Sequence, residues 1–557
     1  MMRWIWLLLT VLVLLGAGFR LYKLDEKSLW SDEIATIATS MGNSIDPDAY
    51  ALRGQAFDPP AAVPAEVYKQ KATLSHGAGN FAQTTQVLKS NVHPPLFFWL
   101  MNGWIHQFGL TPDALRFPAV LFGILGIPVM FALAWRLAAL NKDLFAGPYQ
   151  AAFALLASGM LAVSAYQVDH AQDARQYTFL LLLAMTAVWL AVGLVQPNGR
   201  GWLSWLALAL VLAMGLYTQY FFLLFTGFVL VYLAWHGLRN RNFLLKTALT
   251  AGMVGALFMP WFSVFQVQMA FFKSVGHYTA GLWNPLRLPE KLWRIASEFF
   301  IPDHPLGKVL PLVILVIILA AGLLIRQTKE RPIQRRFGAI SPALGVILLW
   351  LLVVIGGQVG LDILKHTHTA TIRRYLFLAS PACYLLMAYG LVWLFQRVKN
   401  ERFRWLPFSI TALLLGLMSW DTAILLTREH HSSDEFKQAA AWIASHSQPE
   451  DLVLVNKSGA MAVGLAYYLP PQTRMMGVNV PAFTELLDGS PLMKRLDAQV
   501  SGARHEGIWL VFTHSAPSTQ ERLGAWLTGK QYQLAESHKF PGVKVFRWHF
   551  KPTQPSS

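Results

Sequence analysis

The stretch WIWLLLTVLVLLGAGF, residues 4–19, decides the fold class, because it is long, apolar and free of charged side chains. About 20 residues of this kind form a helix that crosses the hydrocarbon core of a bilayer. The stretch lacks a convincing small-residue cleavage site and is followed by Arg20 and Lys23. We therefore interpret it as a retained membrane anchor.

Further apolar segments of spanning length follow along the chain of 557 residues, of which 54% are hydrophobic and 13% aromatic. The segments begin near Trp4, Ala114, Gln150, Gln176, Trp202, Tyr220, Lys246, Leu306, Ile340, Tyr375 and Trp405. This pattern predicts a polytopic α-helical membrane protein with about eleven transmembrane helices plus juxtamembrane helices.

The net charge of +16 lies mostly in short Lys and Arg clusters between the apolar segments. Such clusters are typical of topology signals and of contacts with anionic membrane lipids. We therefore do not expect nucleic acid as a partner. The one cysteine, Cys383, excludes an intramolecular disulfide.

The segment HPPLFFWLMNGWIHQF, residues 93–108, is predicted to lie along the membrane surface, since it is short for a span and begins beside two prolines. With Met1 in the cytoplasm, this choice places the later basic clusters on the cytoplasmic side, as the positive-inside rule requires. The outer face then receives the loops 23–91 and 265–305, the tips 169–175 and 362–374, and everything after residue 428.

The composition changes after residue 428, where short buried-strand patterns alternate with helical stretches. Strands are predicted at 452–455, 508–512 and 543–550. The sequence thus divides into a transmembrane catalytic domain, 1–428, whose outer loop and juxtamembrane helices occupy 23–111, and a small soluble α/β domain, 429–557, on the outer face.

The acidic pair Asp32 and Glu33 follows the first span and opens the amphipathic stretch SDEIATIATSMG. Ser31 is the predicted helix cap, and the helix dipole favours ionised acids in the first turn. The pair either caps the helix or performs chemistry, and the other candidate residues favour chemistry.

The tip HAQDARQY, residues 170–177, leads directly into another apolar helix. Arginine and tyrosine are ordinary interface anchors, which accounts for Arg175 and Tyr177. A carboxylate close to hydrocarbon normally needs a partner or a role. Asp169 and Asp173 are therefore less easily explained as anchors, and we favour a function for Asp173.

The tip HTHTATIRRYLFLASP brings Arg373, Arg374 and Tyr375 to the mouth of a later span. Adjacent guanidinium groups suit a phosphate or diphosphate, although lipid headgroups would also attract them. The pairs His366/His368 and His430/His431 have no clear third ligand in sequence. The sequence therefore leaves open whether the protein binds a metal, and a divalent cation is one possibility.

No glycine-rich phosphate loop, nucleophile elbow or zinc-ligand spacing is present in the sequence. A membrane enzyme without a nucleotide-binding motif needs an energised substrate that arrives in the lipid. A lipid-linked sugar phosphate fits an outward cavity that contains acids and arginines.

Four stretches in order carry a family resemblance: LWSDEIATIA, NVHPPLFFWLMNGWIHQFGLTPDALRFPAVLFG, HAQDARQYTFLLL and IRRYLFLASP. They resemble the GT-C integral-membrane glycosyltransferases, specifically the protein-mannosyltransferase-like group (glycosyltransferase family 39) that includes the aminoarabinose transferases. The likeness covers residues 1–428. It implies transfer of a sugar from a polyprenyl-phosphate donor to a lipid, glycan or protein acceptor, generally with inversion, at the extracytoplasmic face of a bacterial inner membrane.

The resemblance also implies roles for individual residues. Asp32 matches the catalytic aspartate, with Glu33 as its usual neighbour, and Asp173 matches the second acidic position. His93 stands where relatives often carry lysine or histidine. The implied donor-phosphate residues are His93, Arg175, Arg373, Arg374 and Tyr375, and the implied substrate-binding residues are His170 and Tyr177.

Two other function classes compete with this interpretation. A transporter or lipid flippase predicts ionisable residues in mid-membrane helices and paired interrupted spans. A structural subunit predicts that Asp32→Asn leaves activity intact. The charges lie at predicted outer helix ends instead, which favours an enzyme in which Asp32, Asp173 and Arg374 converge on one outward cavity.

Overall fold

A computed structural model describes residues 2–43, 61–73, 79–142, 144–196, 201–274, 285–302, 341–398, 403, 405–428, 433–457, 459–478, 490–502, 505–513 and 517–551. The chain divides into two compact units. The first comprises residues 1–22 and 116–428, and the second comprises residues 23–115 and 429–557. Residues 23–111, which the sequence-based prediction assigned to the membrane domain, thus lie in the second unit.

The first unit is helical. Its helices are α1 (Met2–Leu21), α6 (Pro112–Ala138, which begins in the second unit), α7 (Pro148–Val163), α8 (Ala165–Ala171), α9 (Tyr177–Leu194), α10 (Trp202–Thr218), α11 (Phe222–Gly237), α12 (Arg241–Ser274), α13 (Leu288–Glu298), α14 (Pro342–Leu351), α15 (Gly357–Lys365), α16 (Ser380–Arg397) and α17 (Trp405–Thr427). A π-helical turn, Leu352–Gly356, joins α14 to α15, and a 3-10 segment, Arg373–Ala379, precedes α16.

Seven helices of the described residues are long and apolar enough to cross a membrane, or eight if the bent pair α7 and α8 counts as one span. The predicted count of about eleven is not confirmed. Helices α10 and α11 are apolar but shorter than a full span, and the segment predicted near Leu306 lies outside the described residues. These helices and the fold indicate an integral membrane protein.

The bend between α7 and α8 measures 56° and has an identifiable cause. Ser164 is extended, so the last carbonyl groups of α7 lack helical donors. The guanidinium of the buried Arg20 donates to the Leu161 and Ala162 carbonyls at 2.9 Å each, and the Thr422 hydroxyl donates to Val163 at 2.7 Å. These donors satisfy the broken helix end within the apolar unit.

The second unit combines helices with a mixed sheet. Its helices are α2 (Ser31–Ser40), α3 (Ala65–Thr73), α4 (Phe81–Lys89), α5 (Leu96–Phe108), α18 (Phe436–His446), α19 (Ala460–Tyr468), α20 (Pro491–Gly502) and α21 (Pro517–Gly529). Its strands are β1 (Val63–Pro64), β2 (Leu452–Val455), β3 (Arg474–Gly477), β4 (Gly507–Thr513), β5 (Tyr532–Phe540) and β6 (Val543–Phe550). Helix α5 contains 13 residues and is not among the candidate spans of the described residues, and its place along the membrane surface stays a prediction.

The sheet has the order β1-β3-β2-β4-β6-β5. Strand β2 is parallel to both β3 and β4, and all four residues of β2 and all seven of β4 are buried. Parallel strands covered on both faces have continuous apolar sequences, which explains LVLV and GIWLVFT. Strands lie at the three predicted places, while β1, β3 and β5 were not predicted. The prediction of a soluble domain on the outer face stays a prediction.

The N-terminal part of this unit is built into the sheet. Strand β1 pairs antiparallel with β3, with Val63 opposite Met475. The Tyr68 hydroxyl accepts the Gly477 amide proton at 2.7 Å, and the Ala65 amide donates to the Thr473 carbonyl at 2.8 Å. The segment after the first span thus contributes an edge strand and a helix to the α/β fold.

Candidate functional site

In the second unit, the candidate base lies on helix α2. The helix begins at Ser31 itself after Trp30, so the prediction that Ser31 caps it is wrong. Two carboxylates act at this end instead: Glu33 accepts the Trp30 amide proton at 3.2 Å, and Asp434 accepts the Ser31 amide proton at 3.2 Å. Acceptors are expected there because the first amides of a helix have no intrahelical partners.

The two neighbouring acids of α2 have different environments. Glu33 is fully buried and has the geometry of a cap, whereas Asp32 is partly exposed. The face formed by Ile34, Ile37 and Ala38 is buried. Asp32 therefore lies partly exposed at the start of a helix whose inner face is buried.

His93 precedes helix α5 and is partly buried. Its ring stacks on Phe98 with centroids 5.8 Å apart and an interplanar angle of 30°. This contact fixes the plane of the imidazole at the start of the Pro94-Pro95 turn.

In the first unit, Arg373 forms an ion pair with an acid that we did not select from the sequence. Its guanidinium contacts the Asp169 carboxylate at 2.6 Å and lies 5.2 Å from the centroid of the Tyr166 ring. The Tyr166 hydroxyl also donates to the Arg373 carbonyl at 2.9 Å. Asp169 and Tyr166 thus hold both the side chain and the backbone of Arg373.

His170 and Tyr177, the predicted substrate-binding residues, lie in an aromatic cluster. His170 is buried, and its ring lies 4.8 Å from Phe377, 4.4 Å from Tyr166 and 5.2 Å from Tyr177, measured between centroids. The His170 Nδ1 lies 2.9 Å from the Tyr166 carbonyl oxygen and donates to it, since a carbonyl only accepts. This hydrogen bond and the three ring contacts hold the His170 imidazole in one orientation.

Asp173 and Arg175 occupy the turn between α8 and α9. Asp173 is 7% exposed and Arg175 is 5% exposed. The Arg175 amide donates to the Asp173 carbonyl at 2.7 Å, and its guanidinium lies 5.9 Å from the Tyr177 ring centroid. Charged groups so deeply placed in an apolar unit are costly, which supports a functional interpretation of the turn.

Arg374 and Tyr375 are partly exposed, unlike Asp173 and Arg175. The Arg374 guanidinium lies 5.7 Å from the Tyr375 ring centroid, and that ring lies 5.2 Å from Phe221. The structure thus joins Arg373, His170 and Tyr177 through shared aromatic neighbours, with Arg374 and Tyr375 adjacent along the chain. The roles of these residues, and their convergence with Asp32, stay predictions.

Asp362 organises the loop before Arg373. Its carboxylate accepts protons from the Thr367 hydroxyl at 2.5 Å, the Thr369 amide and hydroxyl at 2.9 and 2.6 Å, and the Ala370 amide at 2.6 Å. Asp362 is fully buried. The sequence places this acid before a threonine-rich turn, but does not indicate that one carboxylate accepts four hydrogen bonds.

Among the described residues, no group of three or more His, Cys, Asp and Glu side chains has a metal-binding arrangement. His366 ends α15 with a left-handed backbone (φ 52°), and His368 follows it in the Asp362 loop. The pair His430/His431 lies outside the described residues. Whether the protein binds a divalent cation stays an open question.

Part of the chain matches a known protein family. Residues 92–264 match the dolichyl-phosphate-mannose-protein mannosyltransferase family. The match includes the stretches around His93 and Asp173, but not those around Asp32 and Arg373. No curated protein matches the chain by sequence.

Solved structures also match the chain. The crystal structure of ArnT from Cupriavidus metallidurans bound to undecaprenyl phosphate matches with a TM-score of 0.51 and 14% identity over 98% of each chain. The apo ArnT structure has a TM-score of 0.44 and 15% identity over 98% of each chain. Arabinofuranosyltransferase AftD from Mycobacteria gives 0.43 and 15%, over 98% of this chain and 41% of the other.

The family match confirms the resemblance to the GT-C integral-membrane glycosyltransferases of the protein-mannosyltransferase-like group. The likeness to ArnT shows that the fold is of the same type. Together they support a glycosyltransferase, and they favour this class over a transporter.

Proposed function

We propose that this protein transfers a sugar from a polyprenyl-phosphate donor to an acceptor at the extracytoplasmic face of a bacterial inner membrane, with inversion at the anomeric carbon. The observation that carries the proposal is that charged side chains lie within an apolar helical unit, namely the Asp169–Arg373 pair and the buried Asp173 and Arg175 of the turn between α8 and α9. Such groups are rarely retained in a membrane without a role.

A polyprenyl-phosphate donor suits these arginines. The departing polyprenyl phosphate carries negative charge, and guanidinium groups stabilise it by charge-assisted hydrogen bonds without titrating. We assign this task to Arg374 and Arg175, with His93 and Tyr375 as further contacts. Arg373 is oriented by its pair with Asp169. The undecaprenyl phosphate bound to the ArnT of similar fold supports this lipid class.

Asp32 is the proposed base. The acceptor hydroxyl loses its proton to the Asp32 carboxylate while its oxygen forms a bond to the anomeric carbon, and the bond from that carbon to the phosphate oxygen breaks. Polyprenyl phosphate leaves with the bonding electron pair. One base and no covalent intermediate give inversion. The partial exposure of Asp32, next to the fully buried Glu33, supports this role.

The test is turnover by the purified protein in lipid nanodiscs. Candidate polyprenyl-phosphate sugars and outer-leaflet acceptors are supplied, and release of polyprenyl phosphate is measured. We expect Asp32→Asn to lower turnover by at least about 100-fold, the usual contribution of a general base. Equal turnover by both proteins would refute the assignment of the base. Lipid movement across the bilayer without cleavage of the sugar–phosphate bond would support a flippase instead.

A further inference from the structure

We propose that Asp434, at the start of the C-terminal segment of the second unit, is a positioning residue that fixes the helix carrying Asp32. The proposal rests on the proposed function for the role of Asp32. The positioning of the helix by Asp434 is argued from the contacts within the second unit alone. If it is correct, C-terminal residues contribute to catalysis by orienting Asp32.

The chain between the first span and Asp32 is held by C-terminal residues at three points. The Leu29 amide donates to the Tyr468 hydroxyl at 2.8 Å. The Ser28 hydroxyl oxygen accepts the Lys437 amide proton at 3.2 Å, and the Lys437 ammonium reaches the carbonyls of residues 25 and 26 at 3.4 Å. The third point is the hydrogen bond from Ser31 to Asp434 at 3.2 Å.

The third contact has the most direct consequence for Asp32. Asp434 is fully buried, and its Oδ2 accepts the amide proton of the residue immediately before Asp32. A carboxylate at the first helical amides satisfies a donor that the helix itself leaves unpaired, and it interacts favourably with the positive end of the helix dipole. Asp434 therefore fixes the direction in which the first turn of α2 starts.

The backbone around Asp434 is itself supported by the turn between β5 and β6. The Glu435 amide donates to the Pro541 carbonyl at 3.0 Å. Gly542 has φ +69°, and a Cβ there would lie 2.2 Å from the Ser433 carbonyl oxygen and 2.7 Å from Asp434 Oδ1. A glycine is thus required for this close approach. The sheet supports Asp434, and Asp434 supports the helix.

Helix α19 completes the arrangement. It packs against α2, and its last residue is the Tyr468 that binds Leu29. The segment leading to Asp32 and its helix are therefore tied to the same C-terminal elements. Loosening this end of α2 displaces Asp32 without removing it.

The test is a double-mutant cycle on the two atoms of the hydrogen bond. Asp434→Ala removes the acceptor. Ser31→Pro removes the donor, and it suits this position because proline is favoured at the first helical residue and Trp30 already has an extended backbone (ψ 171°). Ser31→Ala keeps the amide and serves as its control. Asp497→Ala removes an aspartate of the same unit that pairs with Lys530 at 2.7 Å, and controls for loss of a carboxylate.

Two quantities are measured in the full-length protein in nanodiscs. Amide hydrogen exchange in residues 32–36 is expected to rise about fivefold in Asp434→Ala and in Ser31→Pro, the factor for loss of one helix cap. We expect kcat to fall by at least the same factor while KM for the donor is unchanged. The double variant should be no worse than either single variant, and Asp434→Asn, which keeps an acceptor oxygen, should recover most of kcat.

Wild-type exchange and wild-type kcat in Asp434→Ala and Ser31→Pro would overturn the proposal, as would fully additive losses in the double variant. If Asp434→Ala does not fold, Ser31→Pro and Asp434→Asn decide the question. The exchange measurement does not depend on activity. If Asp32→Asn turns over normally, the proposed base fails, while the exchange result still decides whether Asp434 holds the helix.

Discussion

The ion pair between Asp169 and Arg373 allows a quantitative prediction about the first unit. The two charged groups are 2.6 Å apart at their nearest atoms, with side chains 18% and 39% exposed. Two unit charges about 4 Å apart attract by about 4 kcal/mol at an effective dielectric constant of about 20. Partial exposure of both groups lowers the net value, so we expect a coupling free energy of about 1–2 kcal/mol.

The perturbation is a double-mutant cycle with Asp169→Asn and Arg373→Gln. Unfolding of the protein in mixed micelles is followed as a function of denaturing detergent, and the coupling free energy is obtained from the four proteins. The pair Lys23–Glu26 is the control. Its atoms are 2.7 Å apart, but its side chains are 44% and 54% exposed, so its coupling should be close to zero.

A coupling below about 0.3 kcal/mol for Asp169 and Arg373, equal to that of an exposed pair, would refute the reasoning. It would mean that water screens the contact as it does at an ordinary surface. Arg373 would then not be held by Asp169, and its orientation toward a donor phosphate would need another explanation.

Arg20→Met should destabilise the protein by about 3 kcal/mol in the same unfolding assay, because it leaves two buried carbonyls at the helix bend without donors. Asp362→Ala should raise amide exchange in the loop 367–370 and raise the donor KM about tenfold, since four hydrogen bonds to the carboxylate are lost; an unchanged KM would separate the loop from binding. The Lys530 hydrogen bond lowers the pKa of Asp497, so the stability that this pair contributes is present at neutral pH and is lost as pH falls through the folded-state pKa. Wild type and Asp497→Asn should therefore differ in thermal unfolding at pH 7 and converge below about pH 3.

The membrane class of the protein was predictable, because uninterrupted apolar length is a direct physical requirement for crossing a bilayer. The number of crossings was not. Hydropathy treats the apolar run from Gln150 as one straight span, whereas Ser164 breaks it, and Arg20 and Thr422 satisfy the broken end. Those donors are distant in sequence, so no local pattern reveals that the bend is stable.

The residue types of the candidate site were predictable from the sequence, but the ion pairs and hydrogen bonds between these residues were not. The cost of placing a carboxylate near hydrocarbon is the same for Asp169 and Asp173, and no sequence pattern connects Asp169 with Arg373. The two are 204 positions apart. Likewise, nothing in the run after the first span indicates that Leu29 binds Tyr468, because such contacts depend on the tertiary fold.

The two adjacent acids of α2 have different roles, because Glu33 caps the helix and Asp32 is the proposed catalytic base. Successive residues of a helix point about 100° apart, so neighbours in sequence face different surroundings. Glu33 faces inward and binds the Trp30 amide, and Asp32 faces a more open side. Glu33 and Asp434 thus accept two amide protons at the start of α2, one from Trp30 and one from Ser31. We expect such a capping acid to be a poor catalytic base, because it weakens its hydrogen bond to the helix amide each time it takes a proton.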